Sequence, residues 1–114
     1  MSYLWYICYM STQETLYSIK STVHSFLPDA RVFLFGSRSS GTQQADSDYD
    51  LLVVTQEAYA PREKMNWESK IRKALVWSLH APFDVILQSK HEVDRYRNSK
   101  GYITYYALKD AVEL

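Results

Sequence analysis

The stretch Phe33–Val54, FLFGSRSSGTQQADSDYDLLVV, decides how the chain folds. It holds two strand-like runs around a polar loop. Arg31 to Phe35 is β-branched and aromatic, which predicts a strand. Tyr49 to Thr55 predicts a second, and its nearly unbroken apolar core, DLLVV, is the pattern of a strand buried on both faces. Between them, Gly36 to Ser47 is rich in Gly, Ser, Thr, Gln and Asp. Structureless loops of about a dozen residues are uncommon in small domains, so this one is expected to be functional. The second strand opens on two carboxylates, Asp48 and Asp50. A charge at the mouth of a buried strand is costly unless something pairs with it.

Outward from this stretch the pattern is α, β, β, α, β, α, with a further helix at the tail. Ser11 and Glu14 form an S-x-x-E capping box that predicts a helix start. Leu16, Ile19, Val23, Phe26 and Leu27 recur at helical spacing, and Pro28 stops the run. Pro61 suits the first turn of a long helix over about Arg62 to His80, with Trp67, Ile71, Leu75 and Leu79 as its apolar stripe. Trp67 and Trp77 are both expected at the core or its boundary. Phe83 to Gln88 predicts a third strand, and Ser89 with Glu92 a second capping box. The tail from Ile103 to Val112 predicts helix. A long helix between the second and third strands implies a crossover joining parallel strands. The expectation is therefore an α/β (α+β) fold: a small mixed sheet with helices packed mainly on one face.

The chain has 114 residues, which fits one domain over 1–114, and 46% of them are hydrophobic, enough for a packed core. Thirteen basic residues balance thirteen acidic ones. That excludes binding nucleic acid by bulk attraction, and a charge near zero favours association, including homo-oligomers. Cys8 is the single cysteine, so neither an internal disulfide nor a cysteine zinc cage is available. Residues 1–10, MSYLWYICYM, form an extra aromatic segment. They lack a signal peptide's positive n-region and are too short to span a bilayer, so a cytoplasmic location without membrane contact is expected. This segment is open to three readings: an extra strand, an oligomer contact or a cover over the sheet. His24, His80 and His91 stand at no ligand spacing.

Side chains alternate along a strand, so Asp48 and Asp50 share a face with Tyr49 on the other. Close carboxylates repel unless a cation intervenes, and their hard oxygens suit Mg2+ or Mn2+. Asp84, one residue into the third strand among apolar neighbours, is the third candidate. Three converging carboxylates could hold two ions, the arrangement of in-line phosphoryl transfer. Gly36 permits a tight turn with close backbone approach to a ligand. Ser37 and the backbone N–H groups after it could hold phosphate oxygens, and Arg38 could add charge.

Gly36-Ser37, ten residues, then Asp48-Tyr49-Asp50 resembles the signature of the DNA polymerase β-type nucleotidyltransferase superfamily. The compact length and FGSRSSG…SDYDLLVV are similar to its minimal nucleotidyltransferase branch, over roughly Val32 to Ser89. The resemblance implies a nucleotidyltransferase fold and an enzyme that moves a nucleoside monophosphate, AMP from ATP, onto a hydroxyl with loss of pyrophosphate. It implies that Asp48, Asp50 and Asp84 bind Mg2+ or Mn2+, and that Gly36, Ser37 and Arg38 bind the nucleotide. It also implies a helical partner of HEPN type in a toxin–antitoxin pair, inactivated by AMPylation. The alternative is a non-catalytic antitoxin of the same fold that acts by occlusion. Ser39 and Ser40 depart from the pattern, standing where many minimal members carry alanine and arginine.

Overall fold

The computed structural model describes residues 2–36, 49–109 and 111–114, with side chains described from residue 13 onward. Eight elements follow in order: α1 (Ser2–Phe26), β1 (Arg31–Phe35), β2 (Tyr49–Thr55), α2 (Pro61–Leu79), β3 (Phe83–Ser89), α3 (Lys90–Tyr96), α4 (Ile103–Lys109) and β4 (Val112–Glu113). The sheet order is β3-β2-β1-β4. β1 pairs antiparallel with β2 and with β4, whereas β2 and β3 run parallel. The sheet is therefore mixed, and α2 is the crossover that makes its parallel pair possible.

Strand alternation divides the core in two. Val32 and Leu34 of β1, Leu51 and Val53 of β2, and Phe83 and Leu87 of β3 face α1 and α2, meeting Ile19, Val23, Ile71 and Leu75. The opposite face is smaller: Leu52 and Val54 meet Val93 of α3 and Ala107 of α4, with Phe33, Phe35, Ile86 and Leu108 around them. The two long helices thus cover one face and the two short ones the other. Every residue of β2 from Leu51 to Thr55 is buried, as the unbroken apolar run requires.

Local chemistry fixes the helix ends. α2 starts with proline at its first position and Glu63 in its first turn, where a carboxylate complements the helix dipole. It stops at His80, which adopts the left-handed conformation (φ 53°) and donates its N–H to the Val76 carbonyl. The Ser89 capping box is formed: the Glu92 N–H donates to Ser89 Oγ at 3.2 Å and the Ser89 N–H donates to Glu92 Oε1 at 3.1 Å. Lys64 donates to the other Glu92 oxygen at 2.6 Å, tying α2 to α3. Burial works against the Glu92 carboxylate, but the bonds from Lys64 and Ser89 outweigh it and hold its pKa below the ordinary value. Glu68 of α2 accepts from the Leu87 N–H at 2.9 Å, which occupies a backbone donor on edge strand β3.

Three expectations are corrected. The first helix begins at Ser2, not Ser11, so residues 2–10 extend α1 and the Ser11–Glu14 motif lies inside it. Nothing in that segment breaks a helix: it has no glycine or proline, and an interior serine costs only a few tenths of a kcal/mol. The tail is not helical to Val112, because α4 ends at Lys109 and Val112–Glu113 form β4 beside β1. A bidentate pair, Arg31 to Glu113 at 2.6 and 2.7 Å, and the Leu114 N–H on the Val32 carbonyl hold that strand. Trp77 is 82% exposed rather than at the core boundary. It lies two residues, or about 200° of helical turn, beyond Leu75 and so faces away from the buried stripe. Trp67 packs against the core as expected.

Candidate functional site

β1 ends at Gly36, whose φ of 82° lies in the region that favours glycine. Phe35 pairs with Asp50, so the Gly36 turn stands beside the start of β2. A Cβ built on Gly36 would lie 2.5 Å from Asp50 Oδ2, closer than real Cβ atoms come to another atom. Glycine is thus required here twice, by backbone conformation and by the carboxylate against it.

Asp50 and Asp84 are direct register partners across the parallel pair. Neighbouring strands lie about 4.8 Å apart and partnered residues share a face, so the two carboxylates stand side by side. The start of the pair is clamped on the other face. Tyr49 stacks on Phe83 with ring centroids 4.8 Å apart and planes 15° from parallel, and the Tyr49 N–H donates to the Pro82 carbonyl at 3.0 Å. Asp50 is half-buried and Asp84 exposed. Along both strands they alternate with Leu52 and Ile86, which places them on the α3–α4 face at its open end. Phe35 shares that face and was not among the residues expected there, although alternation outward from Asp50 would have found it.

Adjacent carboxylates repel, and a divalent cation or a shared proton relieves that. The donors are hard oxygens, the set Mg2+ or Mn2+ prefers, so the residues present fit such an ion. Among the described residues no group of three histidine, cysteine, aspartate or glutamate side chains gathers closely enough to hold a metal. Asp48, Ser37 and Arg38 lie outside the described residues. Of the six residues expected at the site, Gly36, Asp50 and Asp84 are described, and they stand together.

Known folds of the same shape put this geometry in context. A variant of the toxin–antitoxin MntA-HpeT, with two aspartates two residues apart changed to glutamate, aligns with a TM-score of 0.62 at 16% identity, covering 84% of this chain and 68% of that one. A toxin–antitoxin structure with AMP-PNP aligns with a TM-score of 0.57 at 18% identity, covering 82% and 70%. A Sulfolobus solfataricus protein assigned as a nucleotidyltransferase aligns with a TM-score of 0.57 at 24% identity, covering 88% and 76%. These likenesses are ones of fold. No curated protein matches the sequence significantly. Residues 18–111, from within α1 to the threshold of β4, match the family model described as polymerase beta, nucleotidyltransferase, and with most of its length inside that match the chain belongs to this nucleotidyltransferase family.

Proposed function

We propose that the chain, as one nucleotidyltransferase domain over residues 1–114, transfers AMP from ATP to a hydroxyl on a helical partner protein of HEPN type and thereby acts as its antitoxin. The observation that carries this reading is the side-by-side placement of Asp50 and Asp84 against the Gly36 turn. The similar folds support the rest: two are toxin–antitoxin structures, one of them with AMP-PNP. ATP as donor fits a cytoplasmic reaction, and among the described residues no helix is long and apolar enough to cross a membrane.

Asp48, Asp50 and Asp84 would hold the divalent cation, Mg2+ or Mn2+, whose bound form neutralises phosphate charge as it develops. Gly36 lets the backbone approach the phosphates, Ser37 donates to their oxygens, and Arg38 adds a guanidinium to the clamp. Asp84, the more exposed carboxylate, accepts the proton of the acceptor hydroxyl. The hydroxyl oxygen bonds to the α-phosphorus, the bond from that phosphorus to the bridging oxygen breaks, and pyrophosphate leaves. A side chain such as tyrosine on the partner presents a suitable hydroxyl.

The test uses ATP labelled on its α-phosphate, Mg2+, and a purified HEPN-type protein encoded beside this chain. Label should move to the partner with wild type and not with Asp50→Asn. Full neutralisation of the partner by Asp50→Asn without transfer would mean an antitoxin that works by occlusion.

A further inference from the structure

A cavity of about 220 Å3 is lined by Arg97, Asn98, Tyr105, Leu108 and Lys109, between the ends of α3 and α4. The register places it. Val112 pairs with Leu34 and Phe35 with Asp50, so the chain leaving α4 enters β4 from the Gly36 end of the sheet. Leu108 packs with Phe35 and Ile86 against Leu52 and Val54, the face that carries Asp50 and Asp84. The cavity therefore shares both the face and the end of the sheet with the aspartates. β4, which follows α4, lies two strands from β2, about 10 Å at ordinary spacing.

The lining is cationic. Among the described residues no carboxylate borders the cavity and neither Arg97 nor Lys109 pairs with one; the ion pairs Arg31–Glu113 and Lys64–Glu92 use other cations. Two cations facing one concavity repel unless an anion comes between them. Arginine brings a planar fork that matches phosphate oxygens and lysine a mobile point charge. The Asn98 amide and the Tyr105 hydroxyl are uncharged donors beside them. A chain of zero net charge with two cations lining one concavity suits a compact phosphate better than a polyanionic strand, which needs an extended basic surface.

We propose that Arg97 and Lys109 form a phosphate-binding site that takes the distal phosphates of the nucleoside triphosphate donor. This rests on the nucleotidyl-transfer reading above and adds two residues from the C-terminal part of the chain to it.

The experiment titrates Mg2+-ATP, inorganic tripolyphosphate and adenosine separately into the full chain by calorimetry. The proteins are wild type, Arg97→Gln, Lys109→Gln and the double variant. Each single change should weaken ATP and tripolyphosphate about tenfold, the double change more, with adenosine unaffected. Both side chains are exposed, so thermal melting should not move. Undiminished ATP affinity in the double variant, with wild type binding well, overturns this site and leaves nucleotidyl transfer standing. Wild type that binds neither ATP nor tripolyphosphate overturns both. Equal loss of ATP and adenosine overturns the assignment to phosphate. So does an oligouridine that wild type binds more tightly than ATP and that the double variant releases.

Discussion

Gly36→Ala separates the two demands made on this glycine. The backbone demand is a φ of 82°, and an alanine held there costs about 1–2 kcal/mol. The spatial demand is local. The new Cβ would lie 2.5 Å from Asp50 Oδ2, where ordinary contact begins near 3.4 Å, so the carboxylate must retreat by about 0.9 Å. A carboxylate at the end of a short side chain can do so at about 0.5–1.5 kcal/mol of rotamer strain. The total, about 1.5–3.5 kcal/mol, should lower the melting temperature by about 6–15 °C, taking an unfolding entropy of about 2.1 cal/mol/K per residue. A domain with about 5–15 kcal/mol of stability remains almost fully folded at 25 °C after that loss. A misplacement of about 1 Å in a reacting constellation, by contrast, costs about a hundredfold in rate. Single-turnover label transfer from ATP at 25 °C, beside a thermal melt, reads both quantities. Gly101→Ala is the control: nothing lies within 4 Å of its added Cβ and its φ is not positive, so stability should stay within about 0.5 kcal/mol. Transfer by Gly36→Ala at the wild-type rate, despite a lowered melting temperature, would refute the idea that the turn positions Asp50.

Asp84→Asn removes one of two adjacent negative charges, so label transfer should be lost while the melting temperature holds or rises; a fall of several degrees would mean that Asp84 is structural. Glu92 gives the fold an acid dependence. Burial opposes its charge, but the bonds from Lys64 and Ser89 lower its pKa in the folded chain, so its contribution is complete above the ordinary carboxylate value of 4.5 and is lost as pH falls through the lowered one. Melts from neutral pH downward should therefore fall less steeply below that value in Glu92→Gln than in wild type, and identical slopes would contradict the assignment. His80→Gly should raise the denaturant midpoint by an amount equivalent to about 1 kcal/mol, because glycine enters the left-handed conformation (φ 53°) without steric cost. An unchanged midpoint would mean that the exposed imidazole contributes as much as the backbone loses.

How much of this was legible in the sequence depends on how local each signal is. β1, β2 and β3 stand where bounded apolar runs placed them, and the Ser89 capping box is visible within four residues. The true start of α1 was hidden because Ser11-x-x-Glu14 is also a local signal, and a serine hydroxyl can be spent inside a helix that continues upstream. β4 was hidden for the opposite reason. Two residues carry no periodicity, and their partners, Leu34 and Phe33, lie far away in sequence. The exposure of Trp77 was legible in the spacing from Leu75, had residue type not outweighed position. Where Asp48, Ser37 and Arg38 stand relative to the pair lies outside the described residues.

The alignment of Asp50 with Asp84 was legible because the hydrophobic pattern enforces it. β2 reads Tyr-Asp-Leu-Leu-Val-Val-Thr and β3 reads Phe-Asp-Val-Ile-Leu-Gln-Ser: equal lengths, each opening on an aromatic residue followed by aspartate. A slip of one residue would turn Asp84 onto the α1–α2 face, against Leu51 and Val53, and drive Phe83 and Leu87 out of the larger core. An unpaired carboxylate buried there, together with the apolar burial lost, would cost several kcal/mol, a large share of what a domain this size holds. A slip of two keeps the faces but shifts β3 by about 6.6 Å, which breaks the Tyr49–Phe83 stack and the bond from the Tyr49 N–H to the Pro82 carbonyl. The zero-stagger register is thus selected by the core, and the two carboxylates meet as its consequence. The same burial that folds the sheet assembles the pair, so a core substitution that loosened β3 against β2 would separate the aspartates before it unfolded the chain.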